Sequence, residues 1–141
     1  MKRIATIALF TVASTLGAGH AFAQAREVRA TMPFDFTVGS KLLPAGTYTI
    51  IPLSDNAIEI RNSATHLAIL SVAFPKGEPA KSCELVFDKY ADQYFLREVA
   101  GGPSNLNMDL PATKAEKNAG FLEAKVNNPS QVLIAANIVT D

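Results

Sequence analysis

The sequence predicts an all-β protein, a small antiparallel β-barrel or sandwich of about seven to eight strands with one short helix before the last strand. Short apolar runs end in turn signals about every eight to twelve residues, which is the rhythm of small sandwiches and barrels. Several runs alternate apolar and polar residues with a period of two. Of the 141 residues, 48% are apolar and 18% charged. That charge content lies below the ~25% of ordinary globular chains and argues for a packed core against disorder.

The first segment reads as an address. Lys2 and Arg3 precede an uncharged apolar run, Ile4 to Leu16, and Ala21-Phe22-Ala23 matches the small-x-small pattern cut by signal peptidase. The run is too short for a hydrocarbon core of ~30 Å, which takes about 20 residues. Residues 1–23 are therefore expected to be a signal peptide, with Ala21 and Ala23 marking the cleavage site, and residues 24–141 a single β domain. No Cys stands near that site to carry a lipid, and no other stretch is apolar and long enough to cross a membrane. The expected product is exported, to the periplasm or beyond, with no transmembrane segment.

From there the strands follow in order. Arg26 to Met32 reads as a strand stopped by Pro33, and Phe34, Phe36 and Val38 alternate with Asp35, Thr37 and Gly39. Leu43-Pro44-Ala45-Gly46 is a turn, since Pro presets one corner and Gly accepts a positive φ. Thr47 to Ile51 restarts a strand on β-branched and aromatic residues. Ser54-Asp55-Asn56 turns into Ala57 to Arg61, with Ile58 and Ile60 facing in, and Asn62 to Thr65 turns into His66 to Phe74. Leu67 to Ala73 is apolar on both faces, as expected of a central strand covered on each side. Pro75 to Pro79 is a loop. Cys83 to Phe87 and Gln93 to Val99 form a hairpin across Asp88 to Asp92. After Gly101-Gly102-Pro103, Thr113 and Glu116 have capping-box spacing at the start of a helix carrying Ala115, Ala119 and Leu122, with Gly120 placed to cap a first short segment. Val132 to Val139 closes the chain, and its pairing with the first strand would remove exposed edges.

Charge and residue inventory exclude several function classes. Thirteen basic residues balance thirteen acidic ones, and loss of Lys2 and Arg3 leaves eleven against thirteen, a net of −2 without a basic stripe for nucleic acid. Once His20 is cleaved off, His66 is the only histidine, so a Ser-His-Asp set has one candidate base and no Gly-x-Ser-x-Gly around any serine. His66 opens a strand after a turn and reads as a rim residue. Cys83 is the sole cysteine, which precludes an intramolecular disulfide and reads as a packed thiol beside Leu85 and Phe87. One His and one Cys without ligand spacing do not make a zinc site, and Asp88 with Asp92 falls short of the six to eight oxygens of a calcium site. No Gly-rich phosphate loop is present. No metal, cofactor or catalytic residue is expected, and the protein reads as non-enzymatic.

Four aromatic residues, Tyr48, Tyr90, Tyr94 and Phe95, are the candidates for a ligand-binding rim at a barrel mouth, although Tyr48 with Ile50 and Phe95 with Val99 also show core patterning. The expected function is to bind a small apolar ligand or a protein partner; the alternative is a structural, envelope-associated module acting by oligomerisation or sheet-edge pairing. A hydrolase using scattered carboxylates ranks below both.

Met32-Pro33-Phe34-Asp35-Phe36-Thr37-Val38-Gly39, followed by Leu43-Pro44-Ala45-Gly46-Thr47-Tyr48-Thr49-Ile50, resembles the opening of a group of small exported proteins of soil bacteria, acidobacterial ones especially. Leu85 to Leu96 is similar to that group's second block, with Asp88 and Ala91 where the group's pattern has His and Gly, and Leu110-Pro111 before a charged helix is similar as well. The resemblance spans most of the chain after the leader. It implies export and a β-rich domain and carries over no catalytic residue.

Overall fold

The computed structural model describes residues 26–102, 106–123 and 130–139, so the expected signal peptide and cleavage site lie outside the described residues. Twelve strands and one helix follow in chain order. They are β1 (Glu27–Met32), β2 (Phe36–Val38), β3 (Lys41–Leu43), β4 (Gly46–Ser54), β5 (Ala57–Asn62), β6 (Leu67–Val72), β7 (Phe74–Pro75), β8 (Cys83–Tyr90), β9 (Gln93–Gly101), β10 (Asn107–Asp109), α1 (Lys114–Glu123), β11 (Ser130–Ala135) and β12 (Asn137–Val139).

The first sheet runs β12-β1-β4-β5-β6 and the second β11-β8-β9-β10-β7, with β2 parallel to β9 through Thr37 and Phe95 and β3 antiparallel to β2. Two bent segments join the sheets at their margins: β6 passes into β7 at Ala73, and β11 into β12 at Ala136. Counting each bent segment once, eight strands form a ring with antiparallel neighbours throughout, a barrel-like sandwich. The fold class is as the sequence predicts, and β12 does pair with β1, Glu27 opposite Val139.

The interior is filled by side chains. Val28, Met32, Ile50, Ile58 and Ile60 of the first sheet meet Phe36, Val38, Leu85, Phe87 and Val99 of the second, all buried in one cluster. Burying one such side chain contributes about 1.5–3 kcal/mol. Phe36 lies edge-on to both Tyr48 and Phe87, at 5.1 and 5.5 Å between ring centroids, as aromatic quadrupoles prefer. Asp35 holds the following turn from outside, its Oδ1 accepting the Ala45 N–H at 2.8 Å.

Four expectations are corrected. Leu67 to Val72 is an edge strand, paired only with β5 within its sheet, and its outward residues Ala68, Leu70 and Val72 are exposed. A run apolar on both faces cannot by itself distinguish a covered strand from a bare one. Phe95 and Val99 do not share a face, because the β8–β9 ladder slips between Val86 and Phe87: Val86 pairs with Glu98, Phe87 with Leu96, and Arg97 is the extra residue. Asp88 is a strand residue opposite Phe95, and the hairpin turn is Ala91-Asp92 alone. The helix runs through Gly120 to Glu123 without a break.

Candidate functional site

The four aromatic candidates fall in three different places. Tyr48, on the inner face of β4, is wholly buried, and its hydroxyl donates to the Pro44 carbonyl at 2.8 Å. Tyr94, at the β9 end of the interior, is half-buried and stacks on Phe34 with centroids 3.8 Å apart, while the Lys89 ammonium lies 5.4 Å from the Tyr94 centroid. Phe95 is buried on the opposite, outer face of the second sheet, edge-on to Tyr90 at 5.8 Å. Alternation along β9 separates Tyr94 from Phe95, and the bulge at Arg97 keeps Phe95 on the outer face while Val99 faces in. The structure brings Tyr90 and Phe95 together and does not bring the four residues to one mouth. Phe34, which the sequence reading named only in the alternation with Phe36 and Val38, is the partner of Tyr94.

The outer face of the second sheet is covered at Tyr90 and Arg97 by α1. Thr113 caps the helix, its Oγ1 accepting the Glu116 N–H at 3.2 Å, and the Glu116 carboxylate takes the Thr113 backbone N–H in return. That carboxylate is buried, 3.5 Å from Arg97 Nε, which also lies 3.5 Å from Asp88 Oδ2. Burial pushes the Glu116 carboxyl above its usual range and neighbouring Asp88 adds to the rise, against the Arg97 charge and the Thr113 amide. Two carboxylates thus share one guanidinium, whose Nη1 is enclosed without an acceptor among the described residues. Gly120 rests on Tyr90: a Cβ at this glycine would stand 3.1 Å from the ring. Of the three apolar positions expected along the helix, Ala115 and Leu122 are exposed, Leu122 at 73%, and Ala119 is half-buried. The contact between Glu116 and Arg97, and not an apolar stripe, marks the face by which α1 docks.

The outer face of the first sheet is graded. At one end Thr31 and Thr47 share a 2.8 Å hydrogen bond, and Arg29 Nε donates to Thr49 Oγ1 at 3.4 Å. Arg61 pairs with Glu59 at 2.8 Å in the middle. Toward the other end the face becomes apolar: buried Ile51 shares it with Leu70 and Val72 through the β4–β5–β6 register, Leu53 stands at the ladder's irregularity between Pro52 and Ser54, and Phe74 follows Val72 along the chain. Leu70 is 71% exposed and Leu53 53%. Sequence reading missed this patch because the outward residues of an apolar edge strand look like core.

The two single-residue candidates are placed simply. His66 is exposed at the end of the turn into β6, in the left-handed region at φ 54°. Cys83 is half-buried, with its thiol pushed up by burial and by adjacent Glu84, so it carries little thiolate at neutral pH.

Fold and surface define an all-β, barrel-like sandwich with one outer face under a helix and the other largely open. Comparison of the chain with protein-family models, with curated proteins and with solved structures finds no match in any of the three.

Proposed function

We propose that this is an exported, non-enzymatic β-domain that works by presenting the outer face of its first sheet to a partner. One observation carries the reading: Leu53, Leu70 and Val72 stand together on an open sheet face while the interior is taken up by the protein's own side chains. Contiguous exposed apolar residues bordered by polar ones mark interaction surfaces on small domains. The polar border is present as Thr31, Thr49, Glu59 and Arg61. A packed interior, with Tyr48, Phe36 and Phe87 at its centre, favours surface action over an enclosed apolar ligand. Export rests on Lys2 and Arg3, the Ile4 to Leu16 run and the Ala21-Phe22-Ala23 pattern. The non-enzymatic reading rests on the exposed turn position of His66 and on Asp88 and Glu116 both being engaged with Arg97.

Native mass spectrometry of the full chain, purified after export, tests this. The expected spectrum shows the protein mass, or a whole multiple of it, with no small-molecule excess. An excess mass lost on denaturation would replace the surface reading with an enclosed ligand.

A further inference from the structure

Resting on the surface-acting reading above, we infer that the partner of the first sheet is a second copy of this chain, added antiparallel to the free edge of β6 about a two-fold axis at Leu70. The direction of the backbone groups is set by a single bond. The Ala73 N–H donates to Asn56 O at 3.2 Å, toward the β5 side. Backbone groups alternate along a strand, so Leu67, Ile69 and Ser71 also face β5, and Ala68, Leu70 and Val72 face away. Further along, that same edge is taken up by β10: Phe74 pairs with Asp109, and the Lys76 N–H donates to Asn107 O at 2.8 Å. β10 ends at Asp109, where the Leu110 N–H turns to Arg97 O and Pro111, which has no N–H, leads to α1. From Ala68 to Val72 no other described strand pairs with the edge.

β6 also has none of the usual defences of a bare edge. Leu67-Ala68-Ile69-Leu70-Ser71-Val72 contains no charge, no proline and no bulge. Self-pairing fits it in one register. With Leu70 opposite Leu70, Ala68 lies opposite Val72, and the residues whose N–H and C=O point outward meet their own kind. Both inner faces stay on one side and both outer faces on the other, so the exposed Leu70 side chains come together. Centring on Ile69 would set Val72 against His66, whose left-handed backbone at φ 54° cannot extend the ladder. The product is a ten-stranded sheet built from two five-stranded ones. A short edge buries less than the ~800 Å² per partner of a standard interface, so the dimer is weak and reversible.

Sedimentation velocity on the full chain purified after export, from micromolar to millimolar concentration, tests the inference with two variants. Wild type should move from monomer toward twice that mass. Leu70→Lys should stay monomeric, since it sets two like charges opposite each other, while Leu133→Lys, on β11 of the second sheet, should dimerise as wild type does. Both positions are more than half exposed, so each variant should unfold within a few degrees of wild type. In a Cys83→Ser background, Leu70→Cys should give a disulfide-linked dimer on mild oxidation, because directly opposed residues ~5.5 Å apart at Cα suit that bond. A wild type that stays monomeric, a dimer that survives Leu70→Lys, or equal loss with Leu133→Lys would overturn the edge-paired dimer. None of these outcomes decides the surface reading itself, which the small-molecule mass excess tests separately.

Discussion

The second sheet carries Asp88, Tyr90, Phe95 and Arg97 on its outer side, beneath a helix; the first carries Leu53, Leu70 and Val72, all more than half exposed. The polar patch is the one that is sealed. The buried charge of Glu116 is tolerable because the half-buried Arg97 faces it across the helix–sheet contact, since burying an unpaired charge costs several kcal/mol. The exposed leucines on the first sheet leave apolar burial unclaimed, about 25 cal/mol per Å² once a partner covers them. The difference teaches where each face gets its specificity. One is closed by a charge arrangement that admits a single docking geometry, the other held open by the lack of any such device.

The contrast is broken most strongly at Arg97. Arg97→Met removes the charge that faces Glu116 and Asp88 and should cost about 3 kcal/mol at neutral pH, read by urea unfolding. Next comes the contact below Gly120, where Gly120→Val drives a branched side chain into the Tyr90 ring and should cost about 1–3 kcal/mol. Ala91 offers an effect of opposite sign. It sits at φ 51° in the two-residue turn between β8 and β9, where a side chain strains the backbone, so Ala91→Gly should stabilise by about 1 kcal/mol in thermal unfolding.

Protonation sharpens the comparison. Because the folded-state pKa of Glu116 is raised above 4.5, folding takes up a proton there, and the stability tied to this group is present below pH 4.5 and lost as pH rises through the folded value. Glu116→Gln should therefore unfold at a higher temperature than wild type at pH 7, and the gap should close as the pH is lowered toward 4.5. On the open face, Leu53→Thr should change stability by no more than about 0.5 kcal/mol in dilute solution, the smallest effect of the set.

Much of the fold was legible before any coordinates. The Ile58 and Ile60 alternation, the Thr113 cap and the β8–β9 hairpin follow from local pattern, and the meeting of first and last strands from the need to remove exposed edges. What was not legible depends on neighbours. Whether Leu67 to Val72 lies inside or at the margin of a sheet is decided by where β10 stops. The slip at Arg97 leaves no mark on the sequence, yet it parts Phe95 from Val99; strand alternation alone parts Tyr94 from Phe95, and Tyr48 is buried on the other sheet. Glu116 was legible as a capping residue, and its second contact, with Arg97, was not. The positive φ at Ala91 was not legible either, since alanine does not announce a left-handed backbone.

The closure of β1 against β12 also orders events in time. A chain made from its N-terminus has Glu27 to Arg29 in hand long before Ile138 and Val139 exist to pair with them. Until then one margin of β1 is bare, and the ring cannot shut from that side. Hairpins such as β4–β5 and β8–β9 need only nearby residues and can form first. The final closure must bring together opposite ends of the described chain, the slowest kind of search in folding. A chaperone that shields β1 during synthesis would be guarding the strand with the longest wait.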